Sequence, residues 1–151
     1  MKPLPKFIGW VIGSRPVIPV LFEVPTLGIS NIIRFTIDTG SNCSLIAEKD
    51  AVLIGLDCSL LLESKDESIG FGGTFRNKII NQLVKLTFKS NKEEYTINYG
   101  NGFRVTCFPP NLKKEEREKL LRLTPSVLGM EILKKFELYM KENKVELTSI
   151  S

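Results

Sequence analysis

The residues of this chain best suited to chemistry are Asp38-Thr39-Gly40-Ser41, which occur once. They directly follow Ile33-Arg34-Phe35-Thr36-Ile37, where alternation sets Ile33, Phe35 and Ile37 on one face of a half-buried strand. A carboxylate at the end of such a strand, followed at once by a glycine turn, is aimed by the backbone. The plain structural reading of the same four residues is a turn aspartate that caps local amides. The chain has no histidine, which excludes Ser-His-Asp and Cys-His hydrolase mechanisms. Acid and base work must then come from carboxylates, lysines or tyrosines. The three cysteines, Cys43, Cys58 and Cys107, include no Cys-x-x-Cys pair, so no zinc site is expected. They read as three reduced thiols, with a Cys43–Cys58 bridge as the alternative.

Three further segments fall into place around Asp38. A glycine-rich run, Ile69-Gly70-Phe71-Gly72-Gly73-Thr74-Phe75, follows it, and Pro125-Ser126-Val127-Leu128-Gly129 leads into a short helix. Upstream, Arg15-Pro16-Val17-Ile18-Pro19-Val20 opens the strand region. In this order and spacing the chain resembles the single-domain, retropepsin-like branch of the aspartic proteases over roughly residues 10–148. The resemblance implies a mainly β fold, an acid-protease barrel or sandwich with a short C-terminal helix. It makes Asp38 catalytic, with Thr39, Gly40 and Ser41 supporting its loop. The Thr39 hydroxyl would bond across a dimer axis, Gly40 would let the backbone approach closely, and Ser41 would bond the outer oxygen of the carboxylate. Gly70, Phe71, Gly72 and Gly73 would form the tip of a flap, about residues 66–80, that closes over an extended polypeptide. Val127, Leu128 and Gly129 would thread behind the active-site loop.

The chemistry of that family needs no metal or cofactor. Two carboxylates held close together cannot both ionise, an established property of aspartic-protease dyads. One then serves as base toward a water while its protonated partner polarises the scissile carbonyl. This chain supplies one such aspartate, so the resemblance implies a homodimer with an Asp38 from each subunit at a two-fold axis. The hairpin at 136–148, with Phe136, Leu138, Val145 and Leu147, is the candidate interface. After Gly129 the family often has arginine, whereas this chain has Met130-Glu131. A retropepsin-fold binding or scaffolding module with little hydrolysis is the alternative function.

Bulk properties set the frame. A single domain over residues 1–151 is expected, with 42% hydrophobic and 25% charged residues, ordinary for a globular protein. The net charge of +4 is too mild to argue for nucleic acid. No apolar run reaches membrane-span length, and no signal peptide is read, so the cytoplasm is the expected compartment.

Most of the chain reads as β. Val17 to Val24 is apolar with Pro19 inside, which predicts an edge strand or a bulge. Residues 25–31 predict a turn, and Glu48 to Leu53 a short helix closing near Gly55. Val84, Leu86 and Phe88 alternate with polar residues, and Tyr95, Ile97 and Tyr99 return as the partner strand. Phe103, Val105 and Cys107 continue the pattern. Pro109-Pro110 ends it, and an additional charged amphipathic helix is expected at 111–123, capped by Asn111 and largely a solvated face. A short helix after Gly129 and a hairpin closed by Lys141-Glu142-Asn143-Lys144 complete the chain.

Overall fold

The computed structural model describes residues 3–70, 73–100 and 102–150, for 65–70 and 73–76 as backbone only. Its strands are β1 (Lys6–Ile12), β2 (Arg15–Val24), β3 (Ile29–Ile37), β4 (Leu45–Ala47), β5 (Leu62–Gly70) and β6 (Gly73–Ile80). They continue as β7 (Val84–Lys89), β8 (Glu94–Gly100), β9 (Phe103–Thr106), β10 (Ser126–Leu128), β11 (Phe136–Lys141) and β12 (Lys144–Ser149). Three helices join them: α1 (Glu48–Leu53), α2 (Lys114–Leu123) and α3 (Met130–Leu133). The sheet runs as an open path, β11-β12-β1-β2-β3-β10-β4-β9-β6-β5, with the β7–β8 hairpin branching from β2. It does not close into a barrel.

The alternation read in the sequence decides what is buried. Ile33, Phe35 and Ile37 of β3 face a continuous core with Val20 and Phe22 of β2 and Leu86 and Phe88 of β7. Phe7, Phe88, Tyr95 and Phe136 form an aromatic cluster at one end, with Phe88 and Phe136 ring centroids 4.9 Å apart. Fully burying each such ring is worth about 1.5–3 kcal/mol, so this cluster fastens the C-terminal hairpin to the body of the sheet.

Several sequence expectations are corrected. β2 is an interior strand, paired to β3 along its length. On its other side β1 pairs only at Arg15 to Val17, and β7 only at Leu21 to Glu23. Pro19 falls in the gap between them, so its missing N–H breaks no ladder. The turn before β3 is shorter than expected. A 3₁₀ turn at Pro25–Leu27 ends on Gly28 at φ 67°, and Ser30 and Asn31 already belong to β3. β1 was not legible, because Phe7, Ile8, Trp10, Val11 and Ile12 put apolar residues on both faces and remove the alternation. The charged helix starts at Lys114 rather than 111, with no side-chain cap, so Asn111 does not cap it. Phe136, Val145 and Leu147, expected at an interface, are buried in the chain's own core, while Leu138 is partly exposed.

Cys58 and Cys107 are joined in a disulfide, which overturns both the reduced-thiol reading and the Cys43–Cys58 alternative. β6 lies between β5 and β9 in the sheet, and this brings the approach to β5 and the end of β9 within reach, Cα to Cα 6.3 Å. Cys43 stays free. Among the described residues no helix is long and apolar enough to cross a membrane.

Candidate active site

Asp38 stands where β3 ends, and its position is fixed by a strand from the far end of the sequence. β10 pairs in parallel with β3, Ser126 opposite Phe35 and Leu128 opposite Ile37. On its other side β10 pairs with β4, Val127 opposite Leu45. The loop from Asp38 to Ser44 therefore leaves one neighbour of β10 and returns as the other. The Asp38 N–H continues the ladder by donating to the Leu128 carbonyl at 3.0 Å. Ser41 N–H donates to the Asp38 carbonyl at 3.2 Å, and Gly40 N–H to the carboxylate oxygen Oδ1 at 2.9 Å. The carboxylate is thus oriented by backbone while Asp38, Thr39 and Gly40 stay solvent-exposed.

Gly129 closes the back of the loop. A Cβ built there would lie 2.5 Å from the Cys43 carbonyl oxygen and 2.7 Å from that of Ser41, so only glycine permits this approach. Beyond it, Met130 N–H donates to Ser41 O at 2.7 Å and Glu131 N–H to Asn42 O at 3.1 Å. The start of α3 thus satisfies the loop carbonyls with amides a helix leaves unpaired. Val127, Leu128 and Gly129 occupy the place behind the loop that was expected for them.

The Ser41 expectation is corrected. Its hydroxyl donates to the Cys43 carbonyl at 2.7 Å, tying the loop to itself rather than to the carboxylate. Gly70 and Gly73 are the last described pair at the end of the β5–β6 hairpin, which extends from Leu62 to Ile80. Phe71 and Gly72, placed at the flap tip by the sequence, lie outside the described residues.

Glu131 is the site residue that sequence reasoning missed. One carboxylate oxygen accepts the Ser44 N–H at 2.5 Å, and the other accepts the Tyr99 hydroxyl at 2.8 Å. Ser44 is fully buried, and its Oγ accepts the Gly129 N–H at 2.9 Å. Burial and donation to Glu131 push the Tyr99 hydroxyl well above the ordinary tyrosine range. Tyr99 in turn packs edge-on to Phe103 at 4.9 Å. Met130 stands where the resemblance led one to expect arginine, and the acid that follows it, Glu131, holds the loop from behind. Nothing in the sequence singled it out, because a lone glutamate in a four-residue helix has no distinguishing spacing.

A retropepsin-like aspartic protease from Rickettsia conorii superposes over 97% of this chain and 92% of its own, with a TM-score of 0.56 at 16% identity. The fold is retropepsin-like. The EIAV protease, in complex with the inhibitor HBY-793, covers 82% of this chain and 88% of its own, at a TM-score of 0.45 and 15% identity. No family model and no curated protein matches the sequence. Among the described residues no cluster of His, Cys, Asp or Glu could hold a metal ion.

Proposed function

We propose that this chain is an aspartic peptidase that acts as a homodimer, with two Asp38 carboxylates activating one water between them. The observation that carries the reading is an exposed carboxylate, oriented by the Gly40 amide, at the end of β3 in a retropepsin-like fold. One Asp38 per chain leaves the mechanism half-built, and a two-fold axis supplies the second. Each carboxylate keeps an oxygen free to share a proton with its copy. One acts as base toward water while the other protonates the amide under attack.

The dimer surface proposed is the hairpin at 136–148. β11 is an edge strand, and its Leu138, Tyr139 and Met140 are 38%, 56% and 52% exposed. Such an apolar edge favours burial against a second copy. The β5–β6 hairpin is the proposed flap, its Gly70 and Gly73 backbones adding strand-like hydrogen bonds to an extended polypeptide. The proposed enzyme needs no cofactor and acts on neither nucleic acid nor membranes.

The deciding experiment is peptide-library digestion at acid pH by the wild type and by Asp38→Asn. The variant is expected to lose cleavage by about 10³-fold or more while its circular dichroism is unchanged. Sedimentation should find dimers at the concentrations that support activity. Cleavage that persists in the variant, or in a strictly monomeric sample, removes the assignment and leaves a binding module of the same fold.

A further inference from the structure

Period-two alternation puts Ile32, Arg34 and Thr36 on the outward face of β3, the face opposite the core, and Asp38 is next in that series. A cavity of about 730 Å³ opens on this face. Thr36 lines it and stands about 7 Å along the strand from Asp38, so the cavity begins beside the candidate reacting centre. The β1–β2 turn, α1 and the junction between α2 and β10 supply its other walls.

Four cationic side chains line this one space: Arg15, Arg34, Lys49 and Arg122. None of them has an ion-pair partner among the described residues. The one acid in the lining, Asp50, already accepts the Ser126 hydroxyl at 2.5 Å. Unpaired cations over apolar walls, with Val17, Leu53 and Leu123 among them, suit a group that is negative at its tip and aliphatic along its stem. Such convergence is unusual in a chain whose charges otherwise nearly balance.

Resting on the peptidase reading of Asp38, we propose that this cavity is a substrate side-chain subsite near the scissile bond, and that it selects polypeptides carrying glutamate or aspartate there. The bound carboxylate receives guanidinium N–H groups while its methylenes lie on the apolar wall. The proposal also gives α2 a role. Arg117 pairs with the buried Glu48 at 2.6 Å, which docks α2 against α1 and carries Arg122 and Leu123 to the rim. A nucleic-acid backbone fits less well, because the cations surround a pocket with apolar sides rather than form an open stripe.

The test uses fluorescent peptides that differ only by Glu or Gln at each of the four positions on either side of an apolar pair. Binding is measured on full-length Asp38→Asn and cleavage on the wild type, at a pH where the glutamate is ionised. At one position Glu is expected to exceed Gln by about tenfold, in affinity and in kcat/KM, as one charge-assisted hydrogen bond provides. Raising the salt should shrink that ratio. Arg34→Gln combined with Arg122→Gln should bring it close to one, with the far-ultraviolet spectrum unchanged. Equal binding and cleavage of Glu and Gln peptides at every position overturns the subsite while leaving the peptidase intact. Loss of all cleavage with the Glu preference in binding retained overturns the peptidase reading alone. An oligonucleotide that displaces the Glu peptide at lower concentration than unlabelled peptide does also overturns the proposal.

Discussion

Glu131→Ala probes the loop support most directly. Removing the carboxylate leaves the Ser44 N–H, in a fully buried residue, without its acceptor. An unsatisfied buried donor costs about 1–3 kcal/mol. The Tyr99 hydroxyl also loses its partner, but Tyr99 is only half-buried, so water replaces the bond and the loss is about 1 kcal/mol. The expected destabilisation is therefore about 2–4 kcal/mol, against about 0.5 kcal/mol or less for the exposed Glu137→Ala. Glu131→Gln keeps an acceptor for Ser44 and a donor for Tyr99, and should cost about 1 kcal/mol. Urea unfolding at one fixed protein concentration measures all three, since dimerisation would otherwise shift the midpoints. A cycle with Tyr99→Phe should give a coupling of about 1 kcal/mol. Because the loop also positions Asp38, Glu131→Ala should lose activity under conditions where it is fully folded. A Glu131→Ala cost below about 1 kcal/mol, or no coupling to Tyr99, would refute Glu131 as the support of this loop.

Gly129→Ala sets a methyl against two backbone carbonyls that cannot move without displacing the Asp38 loop. It should cost about 3 kcal/mol in urea unfolding and abolish cleavage, whereas wild-type stability would show that the loop tolerates the shift. Thiol titration of the unfolded, unreduced protein should find one reactive cysteine, Cys43. The Cys58→Ser, Cys107→Ser double variant should lose up to about 4 kcal/mol, since the bridge spans 49 residues; three free thiols would contradict it. The Tyr99 hydroxyl should ionise later than an ordinary tyrosine, as followed by ultraviolet absorbance, and Tyr99→Phe should remove that late component. Because its folded value is raised, its stabilising contribution is full below about pH 10 and is lost only as pH climbs through the folded value.

The sequence was informative wherever one local rule decided the outcome. β3 and β8 show period-two alternation, since each has one face in the core and one outside, and β7 shows it in residue type although its polar Thr87 is buried as well. The end of β9 and the start of α2 were bounded correctly to within a few residues by Pro109-Pro110. β1 escaped because its outward Ile8, Trp10 and Ile12 are as apolar as its inward Phe7. The resemblance placed β10 behind Asp38, but three residues of parallel strand have no local signature. Disulfide pairing failed for a related reason, because proximity of Cys58 and Cys107 depends on strand order rather than spacing. Ser41 shows the limit at the site itself. Its type matched the family pattern, yet its hydroxyl turned to the nearer Cys43 carbonyl. Glu131 acts through partners 87 and 32 positions away, a relation no short window contains.

The clasp of β3 and β4 around β10 has a consequence for biosynthesis. The bonds that shape the Asp38 turn reach across 85 and 87 positions to Gly129 and Glu131. A ribosome would therefore have to pass residue 131 before that turn could take shape. Contacts so distant are slow to form. A growing chain with this order of strands holds Asp38 in an unformed turn until β10 and α3 have joined β3 and β4.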